Sequence, residues 1–166
     1  AKCGGNYAAS LVAQAEAIRH ECDQVVFLDA AEHRWVEELG GMNVFFVFDD
    51  GSIVTPPLSG TILPGITRDS ILTLARAAGR KVEERPYSMA EWRDDAASGR
   101  LREAFACGTA AVISAIGEVR SSAGNFIING SAIGETTQAL RAQLVAIQRG
   151  AANDAPSGWV PRVQLD

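Results

Sequence analysis

Apolar residues recur along this chain with two different periods, and the change from one to the other predicts the order of the elements. After Gly5 they return every three or four positions as far as His20, which is the spacing of one helical face. The short apolar run at 24–30 suits a buried strand instead. Further strands are predicted at 35–38 and 43–48, with paired glycines between them that allow a tight loop.

The pattern continues with a hairpin signal, Asp49-Asp50-Gly51, before a strand at 52–55. Thr67 is predicted to cap a helix that ends at Gly79. Residues 82–85 alternate like a strand. The predicted elements therefore change from hairpins to strand–helix–strand alternation.

In the second half, Ser88 and Glu91 have the spacing of a capping box, which predicts a short helix that stops near Gly99. One strand is predicted over 104–113, another over 125–128 and an amphipathic helix over 137–148. Because strands occur both in succession and in alternation with helices, the pattern favours a mixed α/β sheet over a doubly wound parallel one.

Composition narrows the functional classes. The 166 residues favour one domain, and a net charge of -5 offers no basic face for nucleic acid. The three cysteines are widely spaced, so they support neither a disulfide framework nor a zinc site and indicate a reducing compartment. No apolar run approaches the ~18 residues of a membrane span. The dinucleotide and P-loop glycine motifs are also absent from the sequence.

Three stretches carry candidate chemistry. In 63–70, a glycine before a helix start and the hydroxyl of Thr67 suit an anion. A loop that only caps a helix, without binding an anion, has the same kinds of residue. In 107–111, the small residues around Thr109 leave space for a ligand to approach the main chain. The same small residues are also typical of tight packing without a ligand. Glu37 and Glu38 are adjacent in a strand, so one carboxylate points inward and needs a partner, which is often an ordinary arginine or backbone donor.

A fourth feature is Lys2, which on its own is a solvated charge at a chain end. A lysine, an inward carboxylate and two loops of small and hydroxyl-bearing residues that suit a phosphate together fit pyridoxal phosphate, however. That cofactor takes a lysine as a Schiff base, places its phosphate on helix N–H groups and needs a carboxylate at its pyridine nitrogen.

The motifs that combine these features resemble the branched-chain amino acid aminotransferases of the fold-type IV pyridoxal phosphate group. The resemblance runs from Lys2 to about Gly150 and rests on the stretches KCGGNYAAS, CDQVVFLDA, VEELGGMNVFFVF, TPPLSGTILPGITRDSI and FACGTAAVI. It implies a mixed, barrel-like sheet flanked by helices. It also implies that residues 1–166 are the C-terminal cofactor-binding domain, without the N-terminal domain that family members have.

The resemblance also implies roles for the residues that match the family's motifs. Lys2 corresponds to the lysine that forms the Schiff base, and Tyr7 to the tyrosine that holds the cofactor's phenolic oxygen. Counting five residues back from Asn43 selects Glu38 as the partner of the pyridine nitrogen.

The remaining implied contacts lie in two loops. Ile66 and Thr67 correspond to the phosphate-binding pair, and Thr109 to a third phosphate contact. The backbone around Thr109 and Ala110 corresponds to the site of the substrate carboxylate. No metal is implied.

The implied reaction transfers the amino group of leucine, isoleucine or valine to 2-oxoglutarate, giving 2-oxo acids and glutamate. The implied protein is a cytoplasmic homodimer of amino-acid biosynthesis. Three alternatives stay open on the residues: a D-amino acid aminotransferase or an aminodeoxychorismate lyase of the same fold, or a non-catalytic fragment.

Overall fold

The structure is a computed structural model that describes residues 3–152 and 155–161. Its helices and strands follow in the order α1 (Ser10–Arg19), β1 (Val26–Leu28), β2 (Val36–Leu39), β3 (Met42–Phe48), β4 (Ile53–Thr55), α2 (Ile66–Ala77), β5 (Val82–Glu84), α3 (Met89–Ser98), β6 (Leu101–Gly108), β7 (Val112–Ala115), β8 (Glu118–Val119), β9 (Phe126–Ile127) and α4 (Glu135–Gln148). One turn of 3₁₀-helix at Gly4–Tyr7 precedes α1, and another at Asn129–Ser131 precedes α4.

The central strand of the main sheet is β3, which has β6 along one side. Its other side is shared: β2 pairs with the first residues of β3, and β4 with its last residues. β2 and β4 therefore diverge, and the hydroxyl of Thr55 donates a hydrogen bond to the carbonyl of Val44 at 2.7 Å in the gap between them.

The mixed α/β class predicted from the sequence is confirmed. β4 and β5 are parallel, while the other pairs of this sheet are antiparallel. β8 and β9 form a separate two-stranded sheet. Within the described ranges the pairings give an open, branched sheet of seven strands and do not close into a ring.

A hydrophobic core lies on each face of the sheet. One core contains Phe45 and Phe105, whose stacked rings have centroids 5.1 Å apart, and it is covered by α2 and α4. The other surrounds Trp92 of α3, which is fully buried against Phe46. None of the helices in the described part of the chain is long and apolar enough to cross a membrane.

Two sequence predictions about element boundaries are wrong. The apolar run 104–113 is not one strand, because β6 ends at Gly108 and the chain turns back into β7. Val112 takes a positive φ of 59° at this turn, which an apolar β-branched residue rarely does, so the residue types there carry no turn signal. Thr67 does not cap α2 either, because Gly65 occupies the N-cap and its carbonyl accepts the N–H of Asp69.

The capping box predicted for α3 is confirmed. The hydroxyl of Ser88 accepts the N–H of Glu91 at 3.1 Å, and the Glu91 carboxylate accepts the N–H of Ser88 at 2.9 Å. Gly99 ends this helix in the left-handed conformation, with φ of 75°.

Candidate functional site

A cavity of about 250 Å³ lies between β2 and the loop that follows β4. The loop that leaves β4 and leads to α2 supplies most of its lining, and the remainder comes from β2 and the N-terminal 3₁₀ turn. The lining residues are Tyr7, Glu38, Gly60, Thr61, Ile62, Leu63 and Pro64. Two of the residues that the sequence singled out, Tyr7 and Glu38, therefore face the same space.

Glu38 is half-buried on β2, and its carboxylate accepts the backbone N–H of Leu63 at 2.7 Å. A half-buried carboxylate needs donors to offset its lost hydration, and this backbone donor provides one. Since the carboxylate also lines the cavity, a positively charged or N–H-bearing ligand can approach it there. The inward carboxylate expected from the sequence is thus present at Glu38.

The neighbouring Glu37 contacts the same loop at a different point. Its carboxylate accepts the hydroxyl of Thr61 at 2.6 Å, and Glu37 is not among the residues that line the cavity. The two adjacent glutamates therefore attach the loop to β2 at two positions.

Tyr7 ends the 3₁₀ turn and is half-buried. Its ring lies beside the β2–β3 loop, because a Cβ added to Gly41 would come within 3.7 Å of the Tyr7 ring. Lys2, the predicted catalytic lysine, lies outside the described residues. The segment that follows it, from Cys3 to Tyr7, leads to the cavity.

Directly after the cavity-lining loop, α2 begins. Ile66 and Thr67 are its first two residues, and Ile66 is 82% exposed. The first N–H groups of a helix have no partner within the helix and carry its positive dipole end, so this terminus suits an anion such as a phosphate. The start of α2, where the sequence predicts an anion site, thus follows closely after Leu63, the residue whose N–H the Glu38 carboxylate accepts.

Thr109 and Ala110 occupy the exposed turn between β6 and β7. Cys107, two residues before Thr109, is paired with Asn43, so this turn lies at the same end of the sheet as the start of β3. Neither Thr109 nor Ala110 lines the cavity itself.

Cys107 shares this end of the sheet but offers no reactive thiol. It is fully buried, and burial raises the pKa of its thiol to about 12. A thiol with such a pKa stays protonated at neutral pH, so it is a packing residue. Among the described residues, no three histidine, cysteine or acidic side chains are grouped to hold a metal ion.

Two buried polar residues that support the site were not selected from the sequence. Asn43, 6% exposed, donates a hydrogen bond to the carbonyl of Leu63 at 3.0 Å. Arg68, 3% exposed, donates from one nitrogen to the carbonyl of Pro56 and to Glu84, both at 2.9 Å. Their sequence signal is a polar residue at an apolar position: Asn43 is the second residue of an otherwise apolar strand, and Arg68 shares the helix face of Ala75.

Comparison with known proteins identifies the family of the chain. The family model of amino-transferase class IV matches residues 3–119. The branched-chain-amino-acid aminotransferase of Mycobacterium tuberculosis (strain ATCC 25618 / H37Rv) is 56% identical over 98% of this chain and 45% of its own length. The chain thus spans a little less than half the length of that relative.

Solved structures give the same picture. The branched-chain amino acid aminotransferase of Escherichia coli matches with a TM-score of 0.80 and 32% identity, over 95% of this chain and 48% of that one. The T.th. branched-chain amino acid aminotransferase, complexed with N-(5′-phosphopyridoxyl)-L-glutamate, matches with a TM-score of 0.75 and 29% identity, over 93% of this chain and 48% of that one.

Proposed function

The chain belongs to the class IV aminotransferases, and we propose that it is the cofactor-binding part of a branched-chain amino acid aminotransferase. In this proposal, it transfers the amino group of leucine, isoleucine or valine to 2-oxoglutarate. One observation carries the proposal: the Glu38 carboxylate and the loop that leads into the N-terminus of α2 line the same cavity.

The residues present fit pyridoxal 5′-phosphate. When bound, this cofactor supplies an aldehyde that takes up amino groups and a pyridinium ring that withdraws electrons. The start of α2, with Ile66 and Thr67, is suited to the phosphate, because its N–H groups and dipole favour an anion. Glu38 is suited to the ring nitrogen, because an ionised carboxylate there keeps that nitrogen protonated.

Tyr7 and Thr109 complete the proposed cofactor contacts. Tyr7, on the cavity wall, would donate its phenolic hydroxyl to the cofactor's ring oxygen. Thr109 would contact the phosphate from the β6–β7 turn. The backbone of that turn, at Thr109 and Ala110, binds the substrate carboxylate.

In this proposal, Lys2 is the residue that would hold the cofactor at its aldehyde carbon. Its amine, when not attached to the cofactor, would take the proton from the substrate Cα, which is general base catalysis by a positioned side chain. The Glu38 carboxylate would stabilise positive charge on the ring nitrogen, so that the negative charge developing at Cα is delocalised.

The remainder of the substrate pocket lies beyond this chain. We infer that an N-terminal domain and a second copy of the protein supply it, since this chain spans 45% of its M. tuberculosis relative. We also infer that the enzyme works in the cytoplasm as a homodimer.

The test is made on the full-length protein. We expect added pyridoxal phosphate to produce the visible absorbance of a lysine-bound cofactor, and L-leucine with 2-oxoglutarate to yield glutamate. D-amino acids should be poor donors, and aminodeoxychorismate should not be cleaved. Absence of the absorbance would contradict the proposed cofactor, while turnover of D-amino acids alone would reassign the substrate.

A further inference from the structure

Both backbone polar groups of one residue, Leu63, are held by side chains of the β2–β3 hairpin. The Glu38 carboxylate accepts the Leu63 N–H at 2.7 Å, and the Asn43 amide donates to the Leu63 carbonyl at 3.0 Å. Glu38 and Asn43 are themselves direct partners across the two antiparallel strands. Direct partners project to the same face of a sheet, so the two side chains can both hydrogen-bond to the backbone of Leu63.

The position of Leu63 constrains the start of α2, because the connection between them is short and stiff. Leu63 and Gly65, the N-cap of α2, are separated only by Pro64, and two residues span at most about 7 Å. The ring of Pro64 fixes its own φ, which removes one of the few backbone rotations in this link. The start of α2 is therefore held at a set distance from Glu38.

Gly65 is also in direct contact with the pair. Its φ of -71° is open to any residue, yet a Cβ at this position would overlap the Oδ1 atom of Asn43. The side chain of Asn43 therefore fits between Leu63 and the N-cap of α2, at two points of the same connection. Because Asn43 is only 6% exposed, it has little room to move away.

Resting on the proposed function, we propose that Asn43 is a positioning residue that fixes the N-terminus of α2 relative to the Glu38 carboxylate. A cofactor with a ring nitrogen at one end and a phosphate at the other binds tightly only if the distance between the Glu38 carboxylate and the N-terminus of α2 matches its length. Asn43 sets that match by holding Leu63 and by occupying the space in front of Gly65.

The first test compares pyridoxal phosphate with pyridoxal, which lacks the phosphate, on the full-length protein. Removing one buried hydrogen bond in Asn43→Ala should weaken pyridoxal phosphate binding by about fivefold to tenfold. Pyridoxal binding should change much less, because pyridoxal has no phosphate to reach the N-terminus of α2. The preference for the phosphate-bearing cofactor, measured as the ratio of the two dissociation constants, should therefore fall.

A structural role alone would not change this ratio. If Asn43 merely supported the fold, Asn43→Ala would weaken both ligands equally and lower the thermal unfolding temperature of the cofactor-free protein. That result would overturn the proposal. Asn125→Ala is the matched control, since Asn125 is exposed in the β8–β9 connection and bonds to the N–H of Ser121; it should leave the ratio unchanged.

The second test is a double-mutant cycle between positions 43 and 65. Gly65→Ala alone should weaken pyridoxal phosphate binding, because the added methyl group displaces the Asn43 amide. In the Asn43→Ala background the same change should cost little, since the atom it overlaps is gone. Additive effects of the two changes would overturn the proposal.

Failure of the proposed function gives a different outcome. In that case the unsubstituted full-length protein binds pyridoxal phosphate no better than pyridoxal, and the positioning role is rejected together with the proposed function. When the unsubstituted protein does prefer pyridoxal phosphate, an unchanged preference in Asn43→Ala rejects the positioning role alone.

Discussion

Glu103 of β6 holds the N-terminus of α4 through Thr137. The Glu103 carboxylate accepts both the N–H and the hydroxyl of Thr137 at 2.7 Å, and it accepts the N–H of Thr136 at 2.9 Å. Glu103 is 8% exposed, and a Cβ at Gly134 would overlap its carboxylate. A side chain distant in sequence thus satisfies N–H groups that α4 cannot satisfy itself.

We expect Glu103→Gln to lower the free energy of unfolding by about 2 kcal/mol, because charge-assisted hydrogen bonds at a buried helix N-terminus are lost. Urea unfolding followed by circular dichroism measures the change. Glu135→Gln is the matched control, since Glu135 lies in the same helical turn but is exposed. Equal losses from both substitutions would mean that the buried contact is unimportant.

Only two lysines are candidates for the cofactor, Lys2 and Lys81. Lys81 is exposed and paired with Glu83, and this hydrogen bond raises the pKa of Lys81 above its usual value. A lysine held protonated is a poor nucleophile, so we predict that Lys2 carries the cofactor. Borohydride reduction of the cofactor-bound protein and peptide mapping should place the label on the N-terminal peptide. A label on Lys81 would refute this assignment.

Local signals in the sequence were sufficient for several elements. The capping box of α3 was predictable because Ser88 and Glu91 satisfy each other within one turn. The paired glycines between two strand-like segments likewise predicted β2 and β3 to within one residue at each end. These features depend on neighbours in sequence, which is why they could be predicted.

Other features carry no local signal in the sequence. The turn between β6 and β7 puts Val112 in a left-handed conformation, although an apolar β-branched residue rarely adopts one. The N-cap of α2 is Gly65, which lies against the Asn43 side chain, and the hydroxyl of Thr67 does not cap the helix. The Glu38 carboxylate could be expected to point inward, but its partner, the N–H of Leu63, could not be identified from the pattern.

Thr67 and Thr109 should each contribute to cofactor retention if both contact the phosphate. A hydrogen bond to a charged group contributes roughly 1.5–3 kcal/mol, so Thr67→Ala or Thr109→Ala should weaken cofactor binding by about tenfold or more. Equilibrium dialysis against pyridoxal phosphate gives the dissociation constants. Thr73→Ala is the control on the exposed face of α2 and should have no effect. Unchanged binding in both site variants would move the phosphate elsewhere.

Asp29 makes the stability of the fold depend on pH in the acid range. Its carboxylate accepts the N–H groups of Trp35, Glu32 and Arg34, which lower its pKa from 3.8 to about 2. A lowered pKa stabilises the fold above the unfolded value, and this contribution is lost as the pH falls towards 2. The unfolding temperature of Asp29→Asn should therefore fall below that of the unsubstituted protein at neutral pH, with a gap that narrows in acid. A gap independent of pH would contradict this linkage.

The two adjacent glutamates on β2 provide a test of the catalytic carboxylate with a built-in control. Glu38 lines the cavity, while Glu37 accepts the hydroxyl of Thr61 and is not itself one of the lining residues. We expect Glu38→Gln in the full-length protein to retain the cofactor but to slow proton transfer from leucine, because a neutral amide no longer keeps the ring nitrogen protonated. Single-turnover kinetics with leucine measure this step.

Glu37→Gln should leave the same step nearly unchanged, because its amide oxygen can still accept the Thr61 hydroxyl and its charge does not face the cavity. The pair thus separates a loss of charge at the ring from a loosened loop, since both substitutions alter an attachment of the loop to β2. A slow Glu37→Gln beside a fast Glu38→Gln would shift the catalytic position by one residue. Equal, mild effects from both would argue that no pyridinium nitrogen is bound at this carboxylate.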